Sequence, residues 1–296
     1  MVEFVMTIGV PASGKSTWAR KRFKEDESNV WISSDSIRAK ANYEISNQKV
    51  FEEMFEKSVD LLNRGFNVIY DATNLSMKRR KNLISRIISR LENVVVWFRC
   101  EVFVQPRDVL LERNAQREGK DRVPEEVIDR MISEFQFPQY FEGWDFININ
   151  ANSEGAQLNL NTMKGYDQKN KHHELDLYAH TRASVDFART MQFPLTIEEA
   201  LWHHDYGKMW CQTFDEYGCA HYYGHQNISA YLFCLSVVYG QENYSKEDFL
   251  EIIFLINYHM RPYNWTQKAY GRDSDLFGFD YTRKLKMMHK CDTAAH

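Results

Sequence analysis

Residues 9–16 constrain this chain more than any other stretch. Their sequence, GVPASGKS, fits the pattern G-x-x-x-x-G-K-[ST], whose backbone N–H groups surround phosphate. The apolar run at residues 4–8 predicts a buried strand before it, and residues 17–23 predict a helix after it. A helix N-terminus adds partial positive charge at this place. The context therefore favours a phosphate-binding loop over an ordinary glycine turn between a strand and a helix.

Within this loop the residue types assign separate tasks. Lys15 is expected to reach the β- and γ-phosphates of a nucleoside triphosphate such as ATP, and the Ser16 hydroxyl is expected to hold Mg²⁺. The other positions expected to contact the nucleotide are Gly9, Ser13, Gly14 and Thr17.

The first half of the chain alternates between strand and helix patterns. Apolar residues recur at helical spacing over 50–62 and again over 83–91. Further strands are predicted at residues 30–32, 67–70, 94–98 and 146–149. Alternation of this kind predicts an α/β domain over residues 1–150, with a parallel sheet covered by helices on both faces.

The pattern changes after residue 150. Residues 151–171 are polar and poor in apolar side chains, which predicts a linker. No strand pattern follows, so residues 172–296 are expected to form an all-α domain. Its helices are predicted at residues 174–191, 196–204, 221–238, 246–259 and in a last stretch that ends near residue 292.

Composition excludes some classes of protein. The net charge is −4, with 23 basic and 23 acidic side chains in residues 1–150 and 14 and 18 in residues 151–296. A nucleic acid would therefore meet a local basic patch and not a general positive field. No apolar run reaches membrane-spanning length, so no membrane association is expected. The five cysteines, an odd number without a C-x-x-C pair, favour a reducing cytoplasm.

Charged residues follow the predicted strands of the first half, where open α/β sheets build their sites. Asp35 is a candidate general base for an acceptor hydroxyl, and Arg38, three residues later, could bind a substrate phosphate. Helix capping is an equally good interpretation of Asp35 by position alone. Asp71, after the third strand, is a candidate to support Mg²⁺ and its water shell, although a turn or cap would also explain it.

Two basic stretches lie further along. The cations of residues 77–81 are typical of a solvated helix face, and contact with substrate phosphates is the alternative. Arg113 and Arg117 are four residues apart and could share a helix face on a mobile lid that closes over the transferred phosphoryl group. A solvated charged helix is the alternative for this second stretch.

Taken together, GxPxSGKSTWA, S-D-x-x-R, D-A-T-N, R-N-x-x-R and V-P resemble the kinase domain of bacteriophage polynucleotide 5′-hydroxyl kinases over residues 1–145. The resemblance implies that Lys15 and Ser16 bind the donor phosphates and that Asp35 is the base. It further implies that Arg38 binds the acceptor phosphate and that Arg117 is the lid arginine, with Arg113 at a second lid position. The family usually has two acids before the helix, whereas this chain has Ser34-Asp35.

In the second half, histidines and aspartates recur on successive predicted helices. Histidine and carboxylate side chains suit Mn²⁺, Fe, Co²⁺ or Zn²⁺, and a bound divalent ion lowers the pKa of water for attack on phosphorus. Gly207 would permit the helix end that lets adjacent His204 and Asp205 reach one ion, and Lys208 could bind a substrate phosphate. The candidate ligands are His180, His204, Asp205, His225, His259 and Asp292.

The pattern H…HD-x-G-K…Y-x-G-H…Y-H…D resembles the HD phosphohydrolase superfamily over residues 172–296. That resemblance implies His180, His204, Asp205 and Asp292 as primary ligands. His225 and His259 would extend the site to a second metal.

A kinase followed by an HD phosphohydrolase resembles bacterial and phage RNA end-healing enzymes. The implied function is ATP-dependent phosphorylation of a 5′-hydroxyl end and removal of a 2′,3′-cyclic phosphate or a terminal 2′- or 3′-phosphate. RNA ends, and also DNA 5′ ends, are the implied partners, with sealing left to a separate ligase. Two alternatives remain open: a small-molecule or nucleoside kinase fused to an HD nucleotidase, and a nucleotide-responsive binding protein without turnover.

Overall fold

The computed structural model describes residues 2–150, 158–169, 175–238 and 244–295. The chain divides into two compact units. The first unit comprises Met1–Ile128 and Pro138–Ser153, and the second unit comprises Asp129–Phe137 and Glu154–His296.

A five-stranded parallel sheet organises the first unit, as the sequence predicts. Its strand order is β2-β3-β1-β4-β5. Consecutive residues of the central strand point to opposite faces, and Phe4 to Ile8 are all buried, so both faces are covered. The strands are β1 (Val2–Ile8), β2 (Asn29–Ser33), β3 (Asn67–Asp71), β4 (Val96–Phe103) and β5 (Phe146–Asn150). The helices are α1 (Lys15–Phe23), α2 (Ser34–Lys40), α3 (Asn47–Asn63), α4 (Met77–Ile88), α5 (Arg107–Ala115) and α6 (Glu125–Ser133), of which α6 ends in the second unit.

Strand β4 differs from its predicted position at 94–98. It begins later and continues to Phe103 through two charged residues, Arg99 and Glu101. Both have partners in the sheet: Arg99 pairs with Glu3 of β1 at 3.0 Å, and Glu101 accepts hydrogen bonds from two asparagine side chains of β5. Because these charges are satisfied by neighbouring strands, they do not end the strand as their polarity suggests.

The basic stretch at 77–81 also differs from a uniformly solvated face. Arg80 is buried and forms two 2.7 Å hydrogen bonds to the Glu142 carboxylate. Its Nη1 donates to the carbonyl oxygens of Asn74 and Leu75 at 3.0 and 2.9 Å. Arg80 therefore anchors the start of α4 and does not offer its charge to a substrate.

The second unit is predominantly helical. Its helices are α7 (Leu177–Thr190), α8 (Leu195–His203), α9 (Lys208–Cys211), α10 (His225–Val238), α11 (Lys246–Tyr258), α12 (Gln267–Phe277) and α13 (Phe279–Ala294). A short antiparallel hairpin, β6 (Thr213–Phe214) with β7 (Ala220–His221), interrupts the helices that the sequence predicts. Strands of two residues are too short to produce an alternating pattern, which is why sequence reasoning misses them.

The described part of the predicted linker, residues 158–169, is a packed part of the second unit. Met163, in a short 3₁₀ helix at Leu160–Met163, is buried with Leu177 and Tyr206. The Leu177 N–H donates to the Tyr166 carbonyl at 3.1 Å. A few apolar residues in a polar stretch suffice to hold residues 158–169 in place. Residues 151–157 and 170–171 of the predicted linker lie outside the described residues.

Two further features concern the whole described chain. No helix among the described residues is both long and apolar enough to cross a bilayer. The five cysteines all lie in the described part, and none forms a disulfide.

Candidate nucleotide site and candidate metal centre

The phosphate-binding loop connects β1 to α1, and two glycines shape it. A Cβ at Gly9 would lie 2.6 Å from the Phe103 carbonyl oxygen and 2.8 Å from Ser13 Oγ, so only glycine fits there. Gly14 has φ 102°, a left-handed conformation that costs an L-residue energy. The two glycines of the sequence pattern are therefore needed for different reasons. Gly9 leaves room for the Phe103 carbonyl oxygen, and Gly14 adopts a positive φ.

Lys15, the first residue of α1, lies folded over the loop. Its Nζ donates to the Val10 carbonyl oxygen at 2.7 Å, and burial is the main cause that lowers its pKa to about 8. Arg117 lowers this pKa further, whereas the carboxylates of Asp71 and Asp35 raise it. Lys15 is thus a poorly solvated cation that has no anionic hydrogen-bond partner in the described part of the chain, which suits it to bind phosphate.

A cavity of about 550 Å³ opens beside the loop, a volume suited to a nucleotide. Both predicted lid arginines line it, although α5 ends at Ala115 and Arg117 therefore lies beyond the helix and does not share its face. Sequence reasoning missed Trp18 and Phe103, whose rings meet at 6.0 Å in the cavity wall. The cavity is lined by Ala12, Gly14, Lys15, Ser16, Thr17, Trp18, Lys21, Phe103, Arg113, Arg117 and Asn150.

Asn114, which directly follows Arg113, forms two hydrogen bonds with the backbone of Val123. Its Nδ2 donates to the Val123 carbonyl at 2.6 Å, and its Oδ1 accepts from the Val123 N–H at 3.0 Å. The asparagine of the R-N-x-x-R pattern therefore holds the two ends of the lid segment together, a role that the sequence alone does not reveal.

Asp71 lies at the carboxyl end of β3, buried beside the loop. Its two carboxylate oxygens accept hydrogen bonds from Thr7 Oγ1 at 2.8 Å and from Trp31 Nε1 at 3.2 Å. These donors come from the two strands that flank β3, so the carboxylate is held rigidly. Asp71 does not line the 550 Å³ cavity, and its charge acts on Lys15.

Asp35 is in the first turn of α2, and its side chain is 78% exposed. The residue that caps α2 is Ser33, whose Oγ accepts from the Ser36 N–H, so capping does not account for Asp35. Arg38 Nη1 lies 2.9 Å from Asp35 Oδ1, and Arg38 Nη2 donates to Asn47 Oδ1 at 3.1 Å. The structure therefore places an exposed carboxylate, held by a partly buried guanidinium, near enough to Lys15 for Asp35 to influence its pKa.

The six histidines and aspartates of the second half converge on one buried cluster. They come from the ends or the interiors of five helices, and each is almost completely buried. His180 lies in α7, His204 and Asp205 directly follow α8, His225 begins α10, His259 directly follows α11, and Asp292 lies near the end of α13.

Asp205 joins this cluster into two adjoining groups. Its Oδ2 lies 3.3 Å from His204 Nε2, and its Oδ1 lies 3.2 Å from His225 Nε2. The first group consists of His180, His204, Asp205 and Asp292, and the second consists of Asp205, His225 and His259, with the ligand atoms of each group within 4.8 Å of one another. Asp205 therefore presents one oxygen to each group, the arrangement of a carboxylate that could bridge two cations.

All four histidines are oriented in the same way. Each Nδ1 lies against a backbone carbonyl oxygen, at 2.7 to 3.4 Å. A carbonyl can only accept, so Nδ1 of each ring carries a proton and Nε2 is the ring nitrogen that faces the cluster. His225 Nε2 and His259 Nε2 are 3.1 Å apart, and buried His204 Nε2 faces Asp205 Oδ2 at 3.3 Å and Asp292 Oδ1 at 3.4 Å. Imidazole nitrogens and carboxylate oxygens that face one another at these distances are the donor set that a divalent metal ion takes.

The charges within the cluster also favour a bound cation. Burial opposes protonation of His204, but the carboxylates of Asp205 and Asp292 outweigh it and raise the pKa of His204 to about 9. Burial, together with His204 and His225, lowers the pKa of His259 to about 3. The first group thus attracts a cation, and His259 supplies a neutral imidazole.

Three further side chains hold the ligands. Lys208 Nζ lies 2.7 Å from Asp205 Oδ2 and donates to Gln168 Oε1 at 2.9 Å, while Tyr263 donates to Asp292 Oδ2 at 2.8 Å. The sequence predicted Lys208 near the site. It missed Gln168, because that residue lies in the predicted linker, and Tyr263, because no spacing rule marks it.

Gly207 has a different role from the one the sequence suggests. Its φ of −65° and ψ of −15° are helical, so it is not needed for a special backbone angle at a helix end. A Cβ at this position would lie 2.4 Å from the His225 carbonyl oxygen and 2.8 Å from the Ser229 nitrogen. Glycine is required here because α10 passes close to the turn, and this approach brings His225 to Asp205.

The chain is similar to known proteins over part of its length. Residues 4–138 match the family model described as an AAA domain. An L-seryl-tRNA(Sec) kinase of Methanococcus maripaludis is 28% identical over 162 residues, which is 50% of this chain and 58% of the relative, so the chain spans well under two thirds of that relative. A fungal RNA kinase aligns with a TM-score of 0.41 and 16% identity over 52% of this chain and 76% of its own. The Pnkp1/Rnl/Hen1 RNA repair complex aligns with a TM-score of 0.39 and 20% identity over 64% and 68%.

Proposed function

We propose that the first unit transfers the γ-phosphate of ATP to a hydroxyl at the 5′ end of a nucleic acid. The observation that carries this is the exposed, positioned carboxylate of Asp35 beside the lysine of a phosphate-binding loop. A nucleotide in the 550 Å³ cavity would contact Lys15, Ser16 and the two arginines. Asp35 would orient and deprotonate the acceptor hydroxyl, and Arg38 would bind the adjacent acceptor phosphate.

The exposure of Asp35 supports a long acceptor over a small one. A kinase for a small molecule encloses its acceptor to exclude water, whereas a polynucleotide end needs an open approach. The kinase from M. maripaludis is named for an acceptor that is an aminoacylated tRNA, which adds support for an acceptor joined to RNA.

The kinase proposal is tested with Asp35→Ala and Lys15→Ala, assayed with ATP and 5′-hydroxyl oligonucleotides. Asp35→Ala is expected to lower the transfer rate by about 10²-fold or more while ATP affinity is kept, because the base acts on the acceptor only. Lys15→Ala is expected to weaken ATP binding as well. Asp60→Ala is the matched control, since Asp60 is a similarly exposed carboxylate paired with Arg64 at 3.0 Å. Full activity in Asp35→Ala would contradict the role of Asp35 as base.

We further propose that the second unit is a metal-dependent phosphoesterase. The carrying observation is the convergence of four histidine Nε2 atoms on Asp205 and Asp292. His180, His204, Asp205 and Asp292 would hold one divalent ion, and His225 and His259 with Asp205 a second. Such ions lower the pKa of water and polarise a phosphoryl oxygen. Lys208 would fix Asp205 and offer a cation to the substrate phosphate, while Tyr263 fixes Asp292.

The phosphoesterase proposal is tested with Asp205→Ala, which removes the carboxylate common to both groups. Bound transition metal is expected to fall to a trace, with loss of phosphoester hydrolysis and no loss of kinase activity. Asp275→Ala, an exposed aspartate of α12, is the control. Loss of both activities in a folded Asp205→Ala protein would instead indicate one shared site.

Together the two proposed activities prepare both sides of one RNA break. Cleavage that leaves a 5′-hydroxyl and a 2′,3′-cyclic phosphate requires both reactions before joining, and the ribose 2′-hydroxyl restricts that cyclic end to RNA. A nicked RNA stem-loop with these ends, incubated with ATP, Mg²⁺ and Mn²⁺, is expected to yield a 5′-phosphate and a free cis-diol, without sealing. If the 5′ end is phosphorylated and the cyclic phosphate persists, the end-healing proposal fails for the second unit.

A further inference from the structure

The hairpin of the second unit exposes aromatic side chains. Residues 208–225, here named the aromatic hairpin, comprise α9, β6, β7 and the first residue of α10. Tyr217 is 86% exposed, Tyr223 is 75% exposed, and Trp210 and Phe214 are about half-exposed. Burial of such rings would be favourable, so several exposed rings on one short segment indicate a binding surface.

Both ends of the aromatic hairpin reach the metal cluster. At its start, Lys208 Nζ lies 2.7 Å from Asp205 Oδ2. At its end, His225 Nε2 lies 3.2 Å from Asp205 Oδ1, and His225 Nδ1 is bonded to the Tyr222 carbonyl at 2.7 Å. Tyr223 is therefore two residues from one candidate ligand. The aromatic hairpin therefore lies next to the place where a terminal phosphate would bind.

The rings are arranged to accept further planar groups. His221 and Tyr223 are stacked, with centroids 5.5 Å apart and planes only 5° from parallel. Asp215 Oδ2 lies 3.1 Å from His221 Nε2 and so fixes the imidazole. Because Tyr223 stays 75% exposed despite this contact, the stack is open to another ring. Unpaired nucleobases stack on aromatic side chains in this way.

The charge of this surface limits what it can bind. Lys169 lies over the Phe214 ring at 5.6 Å, but Asp215 and Glu216 occupy the turn. The segment is therefore not a basic strip that follows a phosphate backbone. A duplex, which presents phosphates and hides its bases, is a poor match, whereas unpaired bases with their flat faces exposed are a good one.

We propose that the aromatic hairpin binds the unpaired nucleotides that precede the 3′-terminal phosphate of an RNA substrate. This rests on the proposed phosphoesterase function for the placement of the terminal phosphate. Stacking, and not charge, supplies the attraction, so the contribution of the hairpin to affinity changes little with salt.

The test compares a ligand that has unpaired nucleotides before its terminal phosphate with a mononucleotide that has none. Binding of a hexaribonucleotide 3′-phosphate, labelled at its 5′ end, is measured by fluorescence anisotropy in the presence of a chelator. Hydrolysis of a 2′,3′-cyclic mononucleotide is measured separately with Mn²⁺. Tyr223→Ala and Phe214→Ala are expected to weaken hexanucleotide binding about tenfold or more for each base that loses its stack. The variants should hydrolyse the mononucleotide as the wild type does, which also shows that the cluster is intact.

Two further variants make the result specific. Phe279→Ala removes an equally exposed ring, 69% exposed at the start of α13, and should leave hexanucleotide binding unchanged. Tyr223→Phe keeps the ring and should bind the hexanucleotide nearly as the wild type does. The loss in Tyr223→Ala should be similar at 50 and 300 mM salt, about the range over which phosphate contacts weaken strongly.

The outcomes separate this proposal from the proposed function. Equal hexanucleotide binding by Tyr223→Ala, Phe214→Ala and Phe279→Ala overturns the hairpin proposal, even if the wild type hydrolyses the mononucleotide. No hexanucleotide binding by the wild type also overturns it and favours a protein partner for the exposed rings. Hexanucleotide binding that depends on the hairpin, without hydrolysis of any phosphoester, supports the surface and rejects the phosphoesterase function.

Discussion

Lys15, the candidate phosphate-binding residue, has a buried ammonium group. The pKa of its ammonium group is about 8, compared with the ordinary 10.5, mainly because the group is buried. Among the described residues its Nζ donates hydrogen bonds to neutral oxygens, those of Val10 and Ser13. A nucleotide phosphate would supply the missing negative charge and raise this pKa again.

The lowered pKa of Lys15 should make the free energy of unfolding depend on pH. Between pH 8 and 10.5 the folded lysine has lost its proton and the unfolded lysine retains it, so the free energy of unfolding rises with pH. Over that window the wild type should gain about 3 kcal/mol relative to Lys15→Met, which lacks the titrating group. Urea denaturation at pH 7, 8, 9 and 10 measures the difference. Lys24→Met, at an exposed position, is the control, and a difference that stays constant with pH would contradict the desolvation of Lys15.

For single residues, the sequence allowed predictions where a local pattern or a residue type marks the position. Lys15 follows from its loop, and the six histidines and aspartates follow from residue type and order. Gln168, Trp31 and Tyr263 were not predictable, because each acts on a residue distant in sequence through a single hydrogen bond. Such partners depend on tertiary approach, which no spacing rule encodes.

Among the elements, helix α4 depends on one buried ion pair. Arg80 and Glu142 are fully buried, and Glu142 also accepts from the Gln139 N–H and the Trp144 Nε1–H. The arginine thus joins the start of α4, the turn after β3 and the segment before β5. The neighbouring Arg79 is exposed and has no comparable place in the packing.

Replacement of these two arginines should have very different effects. Arg80→Met leaves the Glu142 carboxylate buried without its cation and is expected to lower the free energy of unfolding by about 3 to 5 kcal/mol. Arg79→Met should change it by about 0.5 kcal/mol or less. Thermal and urea unfolding of the two variants give the comparison. Similar losses in both would mean that Arg80 contributes only as one member of a charged face.

Elements with a long pattern were predictable, and their ends were less so. The five strands and the helices around them agree with the alternation of the first half, because burial on both faces of a parallel sheet demands long apolar runs. The extension of β4 was missed, since the partners of Arg99 and Glu101 come from other strands. The hairpin was missed because each of its strands has two residues.

For the whole molecule, the two candidate sites each belong to one unit. Every residue that lines the nucleotide cavity is in the first unit, and every candidate metal ligand is in the second. The order of the motifs in the sequence predicts a domain boundary near residue 150. It did not predict that Asp129–Phe137, well before residue 150, belongs to the second unit, because a stretch this short has no pattern that assigns it to either core.

Hydrogen exchange should therefore respond to the two ligands in separate parts of the chain. A non-hydrolysable ATP analogue with Mg²⁺ is expected to slow amide exchange in the loop at residues 9–16 and in α5. Mn²⁺ should slow exchange around Asp205, His225 and His259, because binding stabilises the structure that holds the ligands. Asp205→Ala should lose the second effect and keep the first. Protection by Mn²⁺ alone at the loop would contradict separate sites.

The packing of residues 158–169 determines where a fragment that contains the second unit must begin. A fragment that starts at residue 172 would omit Met163, which shares its buried contacts with Leu177 and Tyr206, and Gln168, which lies under Lys208. Leu177 would then lose some of its buried contacts. Lys208 would lose its hydrogen bond to Gln168 Oε1, which helps to hold its Nζ beside Asp205 Oδ2. A fragment that starts at or before residue 158 keeps these contacts. A fragment that starts at residue 172, where the predicted all-α domain begins, would lose contacts that support the candidate metal centre.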